Sequence, residues 1–132
     1  MSLVIDSSVA LTWCFEDERT PGTLALLEQI VESGAVAPAL WPLEVLNGLR
    51  KRLKATQRRR LTGFLHGLPI TLDHETATQA WGATVDLAER FQLTVYDAAY
   101  LELAQRLTLP LATLDRALLT AATKLGVTVL AL

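Results

Sequence analysis

Residues 2–13 read SLVIDSSVALTW. A short aliphatic run, SLVI, ends on a carboxylate, Asp6, and two hydroxyls follow, Ser7 and Ser8. SLVI has the length and β-branched character of a buried strand, and SVALTWCF after it carries helical spacing. A strand that passes into a helix through an acid is the start of a parallel α/β unit. The acid has two readings. It caps the helix, or it is a ligand for a metal ion.

The same alternation continues along the chain. Thr20 and Pro21 mark the start of a helix and Gly34 its end. AVA (35–37) is a brief strand. Pro42 opens a helix through LEVLNGLRKRLK, and RRRLTGFLHGL is a further helix, broken near Gly67 and Pro69. PITL (69–72) reads as a third strand. ETATQAWGATVDLAERF and TVYDAAYLELAQRL have helical periodicity, the second led by Thr94 and Asp97. LPLATL is a strand running into Asp115, RALLTAATKLG a helix closed by Gly126, and VTVLAL a final strand. Short, continuously apolar strands alternating with helices predict an α/β sandwich whose mostly parallel sheet is covered on both faces. No repeat, low-complexity tract or linker interrupts residues 1–132, which read as a single domain.

With 132 residues, 51% hydrophobic and 20% charged, the chain can bury one core. There is no apolar run of transmembrane length, no basic segment of a signal peptide, and one cysteine, Cys14, which reads as a small buried hydrophobe. These features predict a cytoplasmic protein with no membrane partner. The net charge is −2, yet seven of the twelve basic residues fall in RKRLKATQRRR (50–60). That stretch is a solvated helical face or a basic patch for nucleic acid. Arg50, Lys51, Lys54, Arg58, Arg59 and Arg60 are its candidate nucleic-acid contacts.

In open parallel sheets, ligands bind beyond the carboxyl ends of the strands. Asp6 and Asp115 follow strands in this way, and Glu44 and Asp97 fall in first turns of helices. Each has a bland reading. Asp6 and Asp115 cap the helices after them, Glu44 is an ordinary first-turn acid, and Asp97 closes a T-x-x-D capping box with Thr94. Gathered at one sheet edge, however, such acids repel one another unless a divalent cation lies between them. His66 and His74 read as surface or helix-end residues. The phosphate-loop, dinucleotide, serine-hydrolase and zinc-protease motifs are all absent.

VIDSSVALTW, APALWPLEVLNGLRKRL, LTVYDAAYLELAQRL and LPLATLDRALLTAA together resemble the PIN-domain ribonucleases, and most closely the VapC toxins of bacterial toxin–antitoxin pairs. The resemblance spans nearly the whole chain, with Trp41-Pro42 as a local departure. It implies a three-layer α/β/α fold and an acidic pocket in which the family's four acids fall on Asp6, Glu44, Asp97 and Asp115. The hydroxyl beside the first acid falls on Ser7, and the threonine of the T-x-D strand end on Thr113. It further implies an endoribonuclease with Mg²⁺ or Mn²⁺ as cofactor, RNA as substrate and a cognate antitoxin as partner. A homodimer through apolar helix faces such as LALLEQIV (24–31) is also implied. In that scheme Asp6 and Asp97 are the principal metal ligands, Asp115 a further one, and Glu44 the residue that holds or activates water. A weakly active domain serving mainly as a protein-binding module is the alternative.

Overall fold

The strands form one parallel sheet in the order β3-β2-β1-β4. They are β1 (Val4–Ile5), β2 (Ala35–Ala37), β3 (Ile70–Leu72) and β4 (Leu111–Ala112). The structure is a computed structural model, and residues 2–132 are described. In β1 and β4, consecutive side chains point to opposite faces. All four of these residues are nevertheless fully buried, so both faces of the sheet are covered.

Among the described residues, eight α-helices provide that cover: α1 (Ser7–Thr12), α2 (Pro21–Ser33), α3 (Trp41–Arg52), α4 (Ala55–His66), α5 (Thr76–Gln79), α6 (Val85–Phe91), α7 (Val95–Leu107) and α8 (Arg116–Leu125). The chain steps outward from β1 through β2 to β3, then returns past β1 to β4. With right-handed crossovers, this route lays α1–α4 on one face and α5–α8 on the other. Packing agrees: α1 and α4 lie on α3, whereas α5, α6 and α8 lie on α7. The result is the expected three-layer α/β/α sandwich. Strand order reverses at β1, which makes its carboxyl end the crevice where an open sheet binds ligands.

Local signals acted where they were expected. Thr20 Oγ1 accepts the Thr23 N–H at 3.1 Å, with Pro21 opening α2. Gly34 (φ 79°) and Gly126 (φ 85°) end α2 and α8 in conformations open to glycine. Among the described residues, no helix is long and apolar enough to cross a membrane.

Several boundaries differ from the sequence reading. VTVLAL is not a full strand: it makes one bridge, Leu111 with Val129, because its only neighbour, β4, is two residues long. The helix expected over 75–91 is broken by a π-helical segment, Ala80–Thr84. The change of pitch turns Thr84, Leu87 and Ala88 inward and leaves Trp81 90% exposed. The basic stretch is divided, since α3 ends at Arg52, Leu53 is extended and α4 starts at Ala55.

Candidate active site

Asp6 occupies the N-cap position of α1, but its side chain makes no capping bond. It is held from the other direction. Ser8 Oγ and Thr113 Oγ1 both donate to Asp6 Oδ2 at 2.7 Å. The two hydroxyls in turn accept the Leu114 and Asp115 N–H groups, each at 3.0 Å. This ties the end of β1 to the residues that leave β4. With Oδ2 doubly bonded, Oδ1 takes a long 3.4 Å contact from the Ser7 hydroxyl and is the oxygen more open to a further partner. Ser7 Oγ also reaches Glu44 Oε1 at 3.3 Å, so one hydroxyl bridges the acids of β1 and α3.

Glu44 lies in the first turn of α3 and Asp97 in the first turn of α7, where free N–H groups favour negative charge. Tyr100, one turn beyond Asp97 on α7, donates its hydroxyl to Glu44 Oε1 at 2.5 Å and is wholly buried. Thr94 Oγ1 accepts the Asp97 N–H at 3.1 Å, but no return bond from the Thr94 N–H to the Asp97 carboxylate completes the expected box. That carboxylate is left to face the other acids. Asp115 caps α8 as the bland reading has it, accepting the Leu118 N–H at 2.9 Å through Oδ1.

The electrostatics join the four residues into one cluster. Burial, followed by the charges of Asp115, Asp6 and Glu44, pushes Asp97 up to about 6. Burial also raises Asp6 and Glu44 above the usual carboxylate range, with smaller contributions from Asp115 on Asp6 and from Asp6 on Glu44. Hydroxyl and backbone donors and other carboxylates act on these groups, and among the described residues no cation offsets them. The donor set is all oxygen and short of positive charge, which fits a hard divalent ion. Among the described residues, no three His, Cys, Asp or Glu side chains converge at metal-ligand spacing. Mg²⁺ does not require that, since it binds through one or two carboxylates and keeps several waters.

The basic residues divide by role. Arg52 pairs with Glu18 and stacks over the Phe15 ring at 3.5 Å, so it is engaged within the fold. Arg58 donates to the Leu53 carbonyl at 3.1 Å and closes the α3–α4 junction. Arg50, Lys51, Lys54, Arg59 and Arg60 are exposed. Arg50 and Lys51 lie on the same helix as Glu44, about 10 Å along its axis at 1.5 Å per residue. Arg60 sits apart, on the groove formed by Trp13, Leu24, Leu27 and Phe64.

Two contacts were not anticipated from sequence: Ser8 as a holder of Asp6, and Tyr100 as a holder of Glu44. The second has a readable signal, since Asp97 and Tyr100 are three apart on α7 and share a helix face.

Comparison with known proteins matches this arrangement to one family. The sequence profile of the PIN domain matches residues 3–124. No curated protein matches the chain. Among solved structures, PAE2754 from Pyrobaculum aerophilum superposes with a TM-score of 0.68 at 21% identity, over 98% of this chain and 89% of that one. A toxin–antitoxin complex from Klebsiella pneumoniae gives 0.64 at 18% identity, over 86% of each chain. VapBC2 from Rickettsia felis, bound to a DNA fragment from its promoter, gives 0.70 at 10% identity, over 98% of each chain. At such identities the structures report the fold, and the profile reports the family. The chain belongs to the PIN domain family.

Proposed function

We propose that this protein is a Mg²⁺- or Mn²⁺-dependent endoribonuclease and the toxin of a toxin–antitoxin pair. The observation that carries this reading is the Asp97 carboxyl, raised by burial and then by three neighbouring acids, with no cation among the described residues to offset them. Asp6 and Asp97 would hold the metal, with Asp115 contributing its second oxygen. When bound, the metal supplies a lowered water pKa and neutralises charge developing on the scissile phosphate. Glu44 takes the proton from the attacking water. Burial raises its pKa, which makes the carboxylate a stronger base than a free one, and Tyr100 and Ser7 fix its orientation. Ser8 and Thr113 keep Asp6 in place.

An acidic pocket repels RNA by itself. Arg50, Lys51, Lys54, Arg59 and Arg60 provide phosphate contacts that carry affinity without sequence preference. Charge reversal at Arg59 and Arg60 should weaken RNA binding and flatten its salt dependence by about one phosphate contact per side chain. Unchanged affinity and slope would remove these residues from the interface. Similarity to toxin–antitoxin complexes supports a cognate antitoxin as the partner that restrains the activity.

The deciding experiment is incubation of purified protein with total cellular RNA in Mg²⁺, Mn²⁺ or EDTA, beside Asp97→Asn. Discrete fragments requiring both metal and Asp97 are expected. No cleavage by folded, antitoxin-free protein would transfer the domain to the protein-binding reading.

A further inference from the structure

Between the first turns of α3 and α7 lies an open, shallow pocket that the acid cluster does not account for. Leu40, Leu43, Asn47 and Tyr96 line it, and Glu44 forms part of its wall. Leu43 is 72% exposed and Tyr96 60% exposed, although each stands beside an acid of the cluster, Glu44 and Asp97. An open aromatic ring, aliphatic walls and one side-chain amide form the chemistry that receives a nucleobase. The ring stacks on the base, and the amide hydrogen-bonds its edge.

The surroundings favour nucleic acid over an apolar protein segment. Leu43, Asn47, Arg50 and Lys51 follow i, i+4, i+7, i+8 spacing, so they share one face of α3. All four are exposed. That face passes from apolar through amide to cationic in about 12 Å. A strand laid along it places a base in the pocket and its neighbouring phosphates on Arg50 and Lys51, with Glu44 alongside.

We propose that this pocket is a base subsite that receives one nucleobase of the substrate, stacked on Tyr96 and contacted by Asn47, so that these two side chains set which base lies beside the acid cluster. A base inside a duplex cannot enter, because both its faces and its pairing edge are occupied. Tyr96 and Asn47 are then specificity residues and take no part in proton transfer. The inference rests on the ribonuclease reading, and its test separates the two.

The probe is a short single-stranded oligoribonucleotide carrying 2-aminopurine, compared with the same sequence in a hairpin stem. Binding is read on Asp97→Asn protein, with and without Tyr96→Ala, Tyr96→Phe or Asn47→Ala, and wild-type cleavage is followed in parallel. The single strand should bind with quenching of the 2-aminopurine, and the stem should bind more weakly. Tyr96→Ala should lose about tenfold in affinity together with the quenching, and Tyr96→Phe should restore both. Asn47→Ala should redistribute cleavage among bases in the otherwise wild-type enzyme. Equal affinity and quenching in Tyr96→Ala, while wild type still cleaves, would overturn the pocket and leave the nuclease standing. A Tyr96→Ala protein that changes oligomeric state with RNA affinity intact would also overturn it, assigning this face to a second copy. Failure of wild type to cleave any RNA would instead remove the underlying reading.

Discussion

A carboxylate at the start of a helix satisfies free N–H groups unless something else claims its oxygens. Asp115 spends Oδ1 on the Leu118 N–H, whereas Asp6, in an equivalent position, makes no such bond, and Ser8 and Thr113 hold its Oδ2. Asp97 has only the Thr94 hydroxyl to set against burial and three neighbouring acids, and its pKa is raised. A carboxyl that titrates near 6 in the native state and near 3.8 unfolded binds more protons when folded across that interval. Native stability in EDTA should therefore fall as pH rises from about 4 to about 6, and the loss should persist at neutral pH. Asp97→Asn should abolish cleavage yet stabilise the metal-free protein at pH 7 by on the order of 1 kcal/mol, allowing for solvent screening. Urea unfolding of both proteins across pH checks this, and parallel profiles would contradict it. Tyr100→Phe removes the donor that lowers Glu44. The Glu44 carboxyl resonance should then titrate at higher pH in EDTA. An unmoved titration would show that the Tyr100 bond does not stabilise the charged form.

At the scale of elements, helix contacts determine how far apart the acids lie. Gly48 on α3 faces α1, and a Cβ there would stand 2.7 Å from Leu11 Cδ1. Glycine thus permits the approach that brings Ser7 within reach of Glu44. Gly48→Val should cost about 1–3 kcal/mol and reduce cleavage more than its stability loss explains. Leu11→Ala in that background should recover part of both, and a double-mutant cycle of unfolding and cleavage reads the coupling. On the opposite face, Arg106 anchors α7. It donates to Glu102 at 2.8 Å and to Asp73 at 2.6 Å, joining the helix to the residues after β3. Both acids are largely buried, so Arg106→Met leaves two uncompensated charges. Denaturant unfolding should show a loss of about 3 kcal/mol, and a loss below about 1 kcal/mol would mean that water already screens the group.

For the whole molecule, the acid cluster is a local excess of negative charge that folding itself creates. A cation that binds the native state alone stabilises it by mass action, by about 2.7 kcal/mol at a hundred times its dissociation constant. Calorimetry should therefore find Tm rising with Mg²⁺ or Mn²⁺ in wild type and nearly constant in Asp6→Asn. Equal responses would place the binding ion elsewhere. How far these properties can be read from the chain alone depends on the range of the interaction. The alternation of strands and helices, Thr20 and Gly34 at the ends of α2, Gly126 after α8 and the acids placed after strands or in first turns are consequences of neighbouring residues. Periodicity and capping act within a few positions, so the sequence by itself determined them. Strand lengths, the π-helical segment and the engagement of Arg52 with Glu18 and Phe15 were decided by packing. So were the bonds of the acid cluster. Ser7 meets Glu44 across 37 positions, Glu44 meets Tyr100 across 56, and Asp6 meets Thr113 across 107. Only the tertiary structure decided which oxygens each acid keeps free, because those bonds form once sheet order and helix packing have brought distant segments to the carboxyl end of β1.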